Sequence, residues 1–95
     1  MAQWIQSTFG TSKPVIAMVH FPALPGTPLY DKTAGMSHIL DTVKRDLETL
    51  QESGVDAVMF CNENDRPYQF TADDSTIAAM ATVIGRLQSE ISVPY

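Results

Sequence analysis

The sequence has one cysteine, no long hydrophobic run and no basic cluster at its start. Cys61 alone cannot form an internal disulfide, so we expect a protein of a reducing, cytoplasmic compartment. A helix that crosses a bilayer needs ~20 apolar residues, and no stretch approaches that length. A secretory signal places basic residues before an apolar core, and residues 1–9 lack this pattern. These absences predict a protein with neither a membrane span nor a secretory leader.

Basic side chains are also few. The six Lys and Arg residues are scattered among eleven Asp and Glu residues, and the formal net charge is −5 at pH 7. Nucleic-acid binding needs clustered Lys and Arg, so we expect no nucleic-acid partner. The remaining composition, with 44% hydrophobic and 18% charged residues, is that of a globular domain.

Apolar patterning indicates alternating strands and helices. Two short runs are apolar at nearly every position, which is typical of strands buried on both faces in a parallel sheet. Two longer segments have apolar residues every three or four positions, which indicates amphipathic helices. The predicted elements are a short helix over 2–9, strands over 15–19 and 56–61, helices over 36–53 and 75–90, and the start of a third strand over 91–95.

The predicted helix ends carry recognisable signals. Ser37 is the candidate N-cap of the first long helix, and Gly54 lies where a helix ends in a left-handed residue. Asp73 or Asp74 is the candidate N-cap of the second long helix. Strands that alternate with such helices imply right-handed crossovers and a parallel α/β sheet. Either a doubly wound sheet or the first part of a (β/α)₈ barrel fits this order.

His20 is the main candidate for a functional residue. It ends the first predicted strand, and ligands in parallel α/β folds bind at the carboxyl ends of strands. Histidine titrates near neutral pH and serves in acid–base catalysis and metal binding. The structural alternative is a histidine that only holds the following loop through a backbone hydrogen bond.

The loop after the second strand supplies the other candidates. Asn62 and Glu63 follow that strand directly, so Glu63 is a candidate catalytic carboxylate and Asn62 a candidate substrate-binding amide. Asp65 and Arg66 are further candidates for substrate binding, although a salt-bridged surface loop explains them as well. Cys61 fits a structural cysteine better than a nucleophile.

The same residues leave the cofactor open. One histidine and one glutamate do not make up a zinc ligand set, so we assign no metal. No G-x-G-x-x-G pattern follows either predicted strand, which argues against a dinucleotide. The cofactor is therefore unknown from the sequence.

Two segments resemble a known family. Lys-Pro-Val-Ile-Ala-Met-Val-His-Phe-Pro-Ala-Leu-Pro-Gly-Thr-Pro (13–28) and Gly-Val-Asp-Ala-Val-Met-Phe (54–60) are similar to the start of the BtpA family. The Asn-Glu at 62–63 and the Pro-Tyr at 67–68 occur in one variety of that family. The resemblance implies a TIM barrel of the phosphate-binding kind, with members associated with photosystem I biogenesis or with carbohydrate uptake. Many members carry Glu-Asn where this chain has Cys61-Asn62.

Length and resemblance together set the functional expectation. A TIM barrel takes about 250 residues, so we expect the N-terminal part of one barrel domain over residues 1–95, inactive alone. The complete protein would bind or act on a small phosphorylated metabolite or sugar derivative, with His20 as the acid–base residue. The alternative is a non-enzymatic biogenesis or assembly factor that works through protein partners. Whether the protein is an enzyme stays open, and so does oligomerisation, since open sheet edges promote association.

Overall fold

A computed structural model describes residues 2–95 of the chain. Strands and helices alternate in the predicted order. The elements are α1 (Gln3–Phe9), β1 (Ile16–His20), α2 (Gly35–Glu52), β2 (Ala57–Cys61), α3 (Asp74–Leu87) and a terminal 3-10 turn (Gln88–Glu90).

The two strands form a parallel pair, which confirms the predicted α/β class with parallel strands. Ile16 lies opposite Ala57, and His20 lies opposite Cys61. Parallel strands need a crossover, and α2 provides it. Both strands therefore end at the same edge of the sheet.

The hydrophobic core lies between one face of the sheet and the two long helices. Side chains alternate across a strand, so Val19 and Val58 point toward the helices, and both are buried. Each large side chain buried in this way contributes roughly 1.5–3 kcal/mol. The core members are Val19, Phe21, Leu24, Ile39, Val43, Leu47, Val58, Ala79, Val83 and Leu87.

The other face of the sheet is open. Ile16, Met18 and Met59 belong to this face by register, and they are 44%, 50% and 48% exposed. We call this surface, formed by Ile16, Met18, His20, Met59 and Cys61, the open sheet face. Its apolar side chains explain why both strands look continuously hydrophobic in the sequence.

Asp56 fixes the N-terminal end of the sheet. Its carboxylate accepts a hydrogen bond from the Val15 N–H at 2.8 Å, and its own N–H donates to the Val15 carbonyl at 3.0 Å. The acid before β2 therefore aligns the two strands at the edge opposite His20.

The start of α2 differs from the prediction. Ser37 is not the N-cap, because the helix begins at Gly35 with Ala34 in the capping position. The preceding turn is organised by Asp31, whose carboxylate accepts hydrogen bonds from Thr33 N–H and Ala34 N–H at 3.0 and 3.1 Å.

Two other predicted helix ends match the structure. Gly54 follows the end of α2 with a φ of 86°, the left-handed conformation that glycine adopts without strain. Asp73 caps α3, since its Oδ1 accepts a hydrogen bond from the Thr76 N–H at 3.0 Å.

The segment 91–95 does not form the predicted start of a third strand. It makes one backbone hydrogen bond to the sheet, from the Val58 N–H to the Pro94 carbonyl at 3.0 Å. Tyr95 packs edge-to-face on Phe60, with the ring centroids 5.9 Å apart. One hydrogen bond does not define a strand, and proline has no N–H to extend the ladder. The segment nevertheless lies beside β2.

Within residues 2–95, the structure contains no helix with the length and apolar character needed to span a membrane.

Candidate functional site

Two loops leave the carboxyl ends of the strands and are joined by hydrogen bonds. The Phe21 N–H donates to the Cys61 carbonyl at 2.8 Å, which continues the strand pairing into the first loop. The Asn64 amide donates to the Phe21 carbonyl at 2.7 Å. The Leu24 N–H donates to Asp65 Oδ1 at 2.8 Å. The loops after β1 and β2 therefore form one connected structure at this edge.

Asp65 is the centre of that connection. Its side chain is buried, with 6% relative exposure. Besides the Leu24 N–H, its carboxylate accepts a hydrogen bond from the Asn62 amide at 3.2 Å. A buried acceptor of a backbone N–H holds its loop in place, so Asp65 is a loop-positioning residue. The alternative interpretation from the sequence, a salt-bridged acid in a surface loop, does not apply to Asp65.

A cleft of about 190 Å³ lies between the two loops and the start of α3. We call it the rim cleft. Its polar lining includes Thr27, Asn62, Asp65, Gln69 and Thr76, and the Tyr68 ring flanks it.

The loop around the rim cleft rests on α3 at Gly26. This residue has a φ of 88°, and a Cβ placed on it would lie 2.6 Å from Ser75 Oγ. Glycine suits the left-handed backbone here, and a larger residue would also displace the Ser75 hydroxyl.

His20 is exposed and belongs to the open sheet face, opposite Cys61. It does not line the rim cleft. In the part of the chain that the structure describes, it forms none of the side-chain hydrogen bonds. The alternative of a histidine that holds its loop therefore has no supporting contact among the described residues.

Glu63 lies at the same edge and is exposed. Its Oε1 accepts a hydrogen bond from the Tyr68 hydroxyl at 2.8 Å. Partial burial, and secondarily the negative charge of Glu63, raise the pKa of the Cys61 thiol. A thiol with a raised pKa is a poor nucleophile, which favours the structural reading of Cys61. Its Sγ lies 3.6 Å from Met18 Sδ.

The structure thus places the sequence-predicted candidates at one edge but in two groups. His20 is on the open sheet face opposite Cys61, and Glu63 lies close enough to Cys61 for its charge to act on the thiol. Asn62 and Asp65 line the rim cleft. Arg66 is exposed in the loop and lies outside the cleft lining. No direct hydrogen bond joins His20 to Asn62 among residues 2–95.

The described residues contain no group of three or more His, Cys, Asp or Glu side chains placed to hold a metal ion. The imidazole and carboxylate at this edge can move a proton or accept hydrogen bonds from a ligand.

Several site features had no signal in the sequence. The Leu24–Asp65 and Asn64–Phe21 hydrogen bonds join residues 41 and 43 positions apart. The sequence shows a polar loop there, but it does not show which side chains reach across. Thr27, Tyr68 and Gln69 also became candidates only through the shape of the cleft.

Parallel strands, helices against one sheet face, and polar loops at the carboxyl ends of the strands define a parallel α/β protein. The BtpA family model matches residues 11–95, and the chain belongs to the BtpA family.

Relatives of this chain come from bacteria, archaea and an animal. The chain is 48% identical over 92 residues to the putative sgc region protein SgcQ of Escherichia coli, covering 97% of this chain and 34% of the relative. It is 40% identical over 82 residues to an uncharacterized protein of Thermococcus kodakarensis, covering 86% and 31%. It is 34% identical over 85 residues to an uncharacterized protein of Caenorhabditis elegans whose name includes the word mitochondrial, covering 87% and 30%.

The chain therefore spans about a third of the length of the curated relatives it matches. No solved structure matches it.

Proposed function

We propose that this chain contributes the first strands of a (β/α)₈ barrel that binds or acts on a small phosphorylated metabolite or sugar derivative. The observation that carries the proposal is the parallel register of β1 and β2. It brings His20 and the Asn62–Arg66 loop to the same edge of the sheet. In barrels this edge carries the ligand-binding residues.

His20 is the proposed acid–base residue. It ends β1, is exposed and belongs to the open sheet face. A ligand bound over the strand ends can therefore reach the imidazole. Glu63 is the proposed carboxylate partner at the end of β2. Its position is set by the hydrogen bond from Tyr68.

Asn62 and Arg66 are the proposed ligand-binding residues of the loop. Asn62 lines the rim cleft, where the hydrogen bond to Asp65 fixes its amide. Arg66 is an exposed guanidinium at the same edge, suited to a phosphate group. Asp65 holds the loop to Leu24 and also lines the rim cleft, so its carboxylate is a third proposed ligand-binding group.

The two histidines of the chain provide a matched test. Full-length protein is screened against sugar phosphates by thermal shift, in the parent, His20→Ala and His38→Ala forms. His38 is an exposed residue of α2. We expect a ligand that stabilises the parent and His38→Ala, with affinity for His20→Ala reduced by roughly tenfold, a loss of about 1.4 kcal/mol. Equal binding by all three proteins would remove His20 from the site.

A protein-partner role is the second candidate. Phe70 is fully exposed and Tyr68 is 61% exposed in the loop after β2, and exposed aromatic side chains are typical of interfaces. An assembly factor would retain a defined partner in His20→Ala and lose it in Phe70→Ser. A pull-down from the native cell with both variants distinguishes the two roles. Retention of the partner by Phe70→Ser would remove this loop from the interface.

A further inference from the structure

The rim cleft is polar but lacks positive charge. Among residues 2–95, its lining contains the Asp65 carboxylate, two amides and two threonine hydroxyls, and no Lys or Arg. The nearest basic residue in sequence, Arg66, is outside the lining. The cleft therefore presents a negative group and neutral hydrogen-bonding groups.

The negative charge of the cleft comes from Asp65, and burial strengthens its effect on a ligand. Its side chain has 6% relative exposure, so solvent screens it less than it screens a surface acid. Each carboxylate oxygen accepts one hydrogen bond from the protein, from the Leu24 N–H and from the Asn62 amide. A carboxylate has about four acceptor positions, so it retains acceptor capacity toward a donor in the cleft.

The cleft is also small. Its volume of about 190 Å³ is below the ~300–1,000 Å³ of pockets that enclose a drug-sized ligand. It has room for one part of a ligand, and Pro67 and the Tyr68 ring supply an apolar wall for that part.

We propose that the rim cleft takes the uncharged, hydroxyl-bearing part of the ligand and excludes its phosphate. Sugar hydroxyls donate to carboxylate and amide oxygens, whereas a phosphate beside Asp65 meets a like charge with no basic residue to offset it. The phosphate then lies outside the cleft. This inference rests on the proposed function and adds the orientation of the ligand and the chemistry that the cleft selects.

Backbone amide NMR of the full-length protein tests the inference. The signals of Thr27 and Asn62 report on the rim cleft. The probes are glucose, glucose 6-phosphate, inorganic phosphate and Mg²⁺. We expect glucose and glucose 6-phosphate to shift both signals, and inorganic phosphate and Mg²⁺ to leave them unchanged.

A charge-adding variant sharpens the test. Gln69 lines the cleft, and its side chain forms none of the hydrogen bonds seen in residues 2–95, so Gln69→Lys adds a cation without removing a contact. We expect inorganic phosphate, which leaves the parent signals unchanged, to shift the cleft signals of Gln69→Lys, because the added ammonium group attracts the anion. Gln88→Lys adds the same charge on the terminal 3-10 turn and should behave as the parent.

Four outcomes overturn the inference. Inorganic phosphate that shifts the Thr27 and Asn62 signals of the parent shows a phosphate site, and Mg²⁺ that does so shows a cation site. Glucose 6-phosphate that shifts His20 but not the cleft signals leaves the proposed function intact and removes the cleft from it. Failure of both sugars to bind anywhere contradicts the inference and, for this ligand class, the proposed function.

Discussion

Asp65 connects two loops that are distant in the sequence, and its removal should cost stability. Asp65→Ala leaves the buried Leu24 N–H without its acceptor. An unsatisfied buried donor costs about 1–3 kcal/mol, so we expect the free energy of unfolding of the full-length protein to fall by that amount. Urea titration provides the measurement.

Two variants control this prediction. Asp65→Asn keeps an oxygen that can accept from Leu24, so it should lose less stability than Asp65→Ala. Asp46→Ala removes an exposed acid of α2 and should change the free energy of unfolding by no more than ~0.5 kcal/mol. If Asp65→Ala were as stable as Asp46→Ala, Asp65 would not hold the loops.

Gly26 tests the contact between the first loop and α3. Gly26→Ala introduces a Cβ 2.6 Å from Ser75 Oγ and strains a backbone with a φ of 88°. Gly54→Ala has the same kind of strain at a φ of 86°, with no heavy atom within 4 Å of the new Cβ. We expect Gly26→Ala to lower the melting temperature further than Gly54→Ala does, because only Gly26→Ala also displaces the Ser75 hydroxyl from its hydrogen bond to Asp73 Oδ1.

The double variant isolates the contact at Gly26. Ser75→Ala removes the Oγ that the new methyl group contacts. Gly26→Ala should therefore lower the melting temperature less in the Ser75→Ala background than in the parent. An unchanged cost of Gly26→Ala in the Ser75→Ala background would show that backbone strain alone is responsible.

At the scale of elements, the features that depend on local sequence patterns were predictable, and those that depend on long-range contacts were not. The apolar runs and stripes depend on neighbouring residues only, and they placed every long helix and both strands of the sheet. Ser37 is not the N-cap because α2 already begins at Gly35, after a turn in which the Asp31 carboxylate accepts hydrogen bonds from two backbone N–H groups. The segment 91–95 does not form a strand because strand pairing depends on tertiary contacts. It makes one backbone hydrogen bond to the sheet, from the Val58 N–H to the Pro94 carbonyl.

The candidate site was predictable to the same extent. The position of His20 at the edge shared with Asn62 follows from the parallel pairing that the apolar runs predict. The hydrogen bond between Asp65 and Leu24 does not follow, because nothing local to either residue identifies the other. The separation of His20 from the rim cleft likewise required coordinates.

The N-cap of α3 gives a pH-dependent prediction. Hydrogen bonds from the Thr76 backbone and the Ser75 hydroxyl lower the pKa of Asp73 below its ordinary value of 3.8. A lowered pKa means that the ionised cap stabilises the folded state above about pH 3.8, and that this stability is lost as the pH falls through the lower folded-state value.

Asp73→Ala should therefore lower the melting temperature at pH 7. The difference between parent and variant should shrink as the pH is reduced below 3.8. Asp74→Ala, which changes the neighbouring acid in the first turn of α3, is the control and should have a smaller effect at pH 7. A difference between Asp73→Ala and the parent that did not vary with pH would contradict the assignment of the ionised cap.

At the scale of the whole molecule, the open sheet face determines how residues 1–95 behave alone. Met18 and Met59 are about half exposed on this face. The outer edge of β1 is available for pairing, and the segment 91–95 occupies the edge of β2 with one backbone hydrogen bond. We expect the isolated chain to associate or to unfold over a broad temperature range. Analytical ultracentrifugation and a thermal melt at several concentrations provide the measurement.

A charged side chain on the open sheet face should reduce that association. Met18→Lys places the charge on the exposed face, and Ala78→Lys places the same charge on an exposed position of α3. Only Met18→Lys should increase the monomer fraction. A parent chain with a sharp melt that does not depend on concentration would contradict the expectation that this face drives association.

The central claim is that a ligand binds at the carboxyl ends of β1 and β2. Its most direct test is a crystal structure of the full-length protein with a sugar phosphate that stabilises it. The account predicts electron density for the ligand in contact with His20 and the loop that follows β2. Density at the opposite edge, beside Val15 and Asp56, would contradict it.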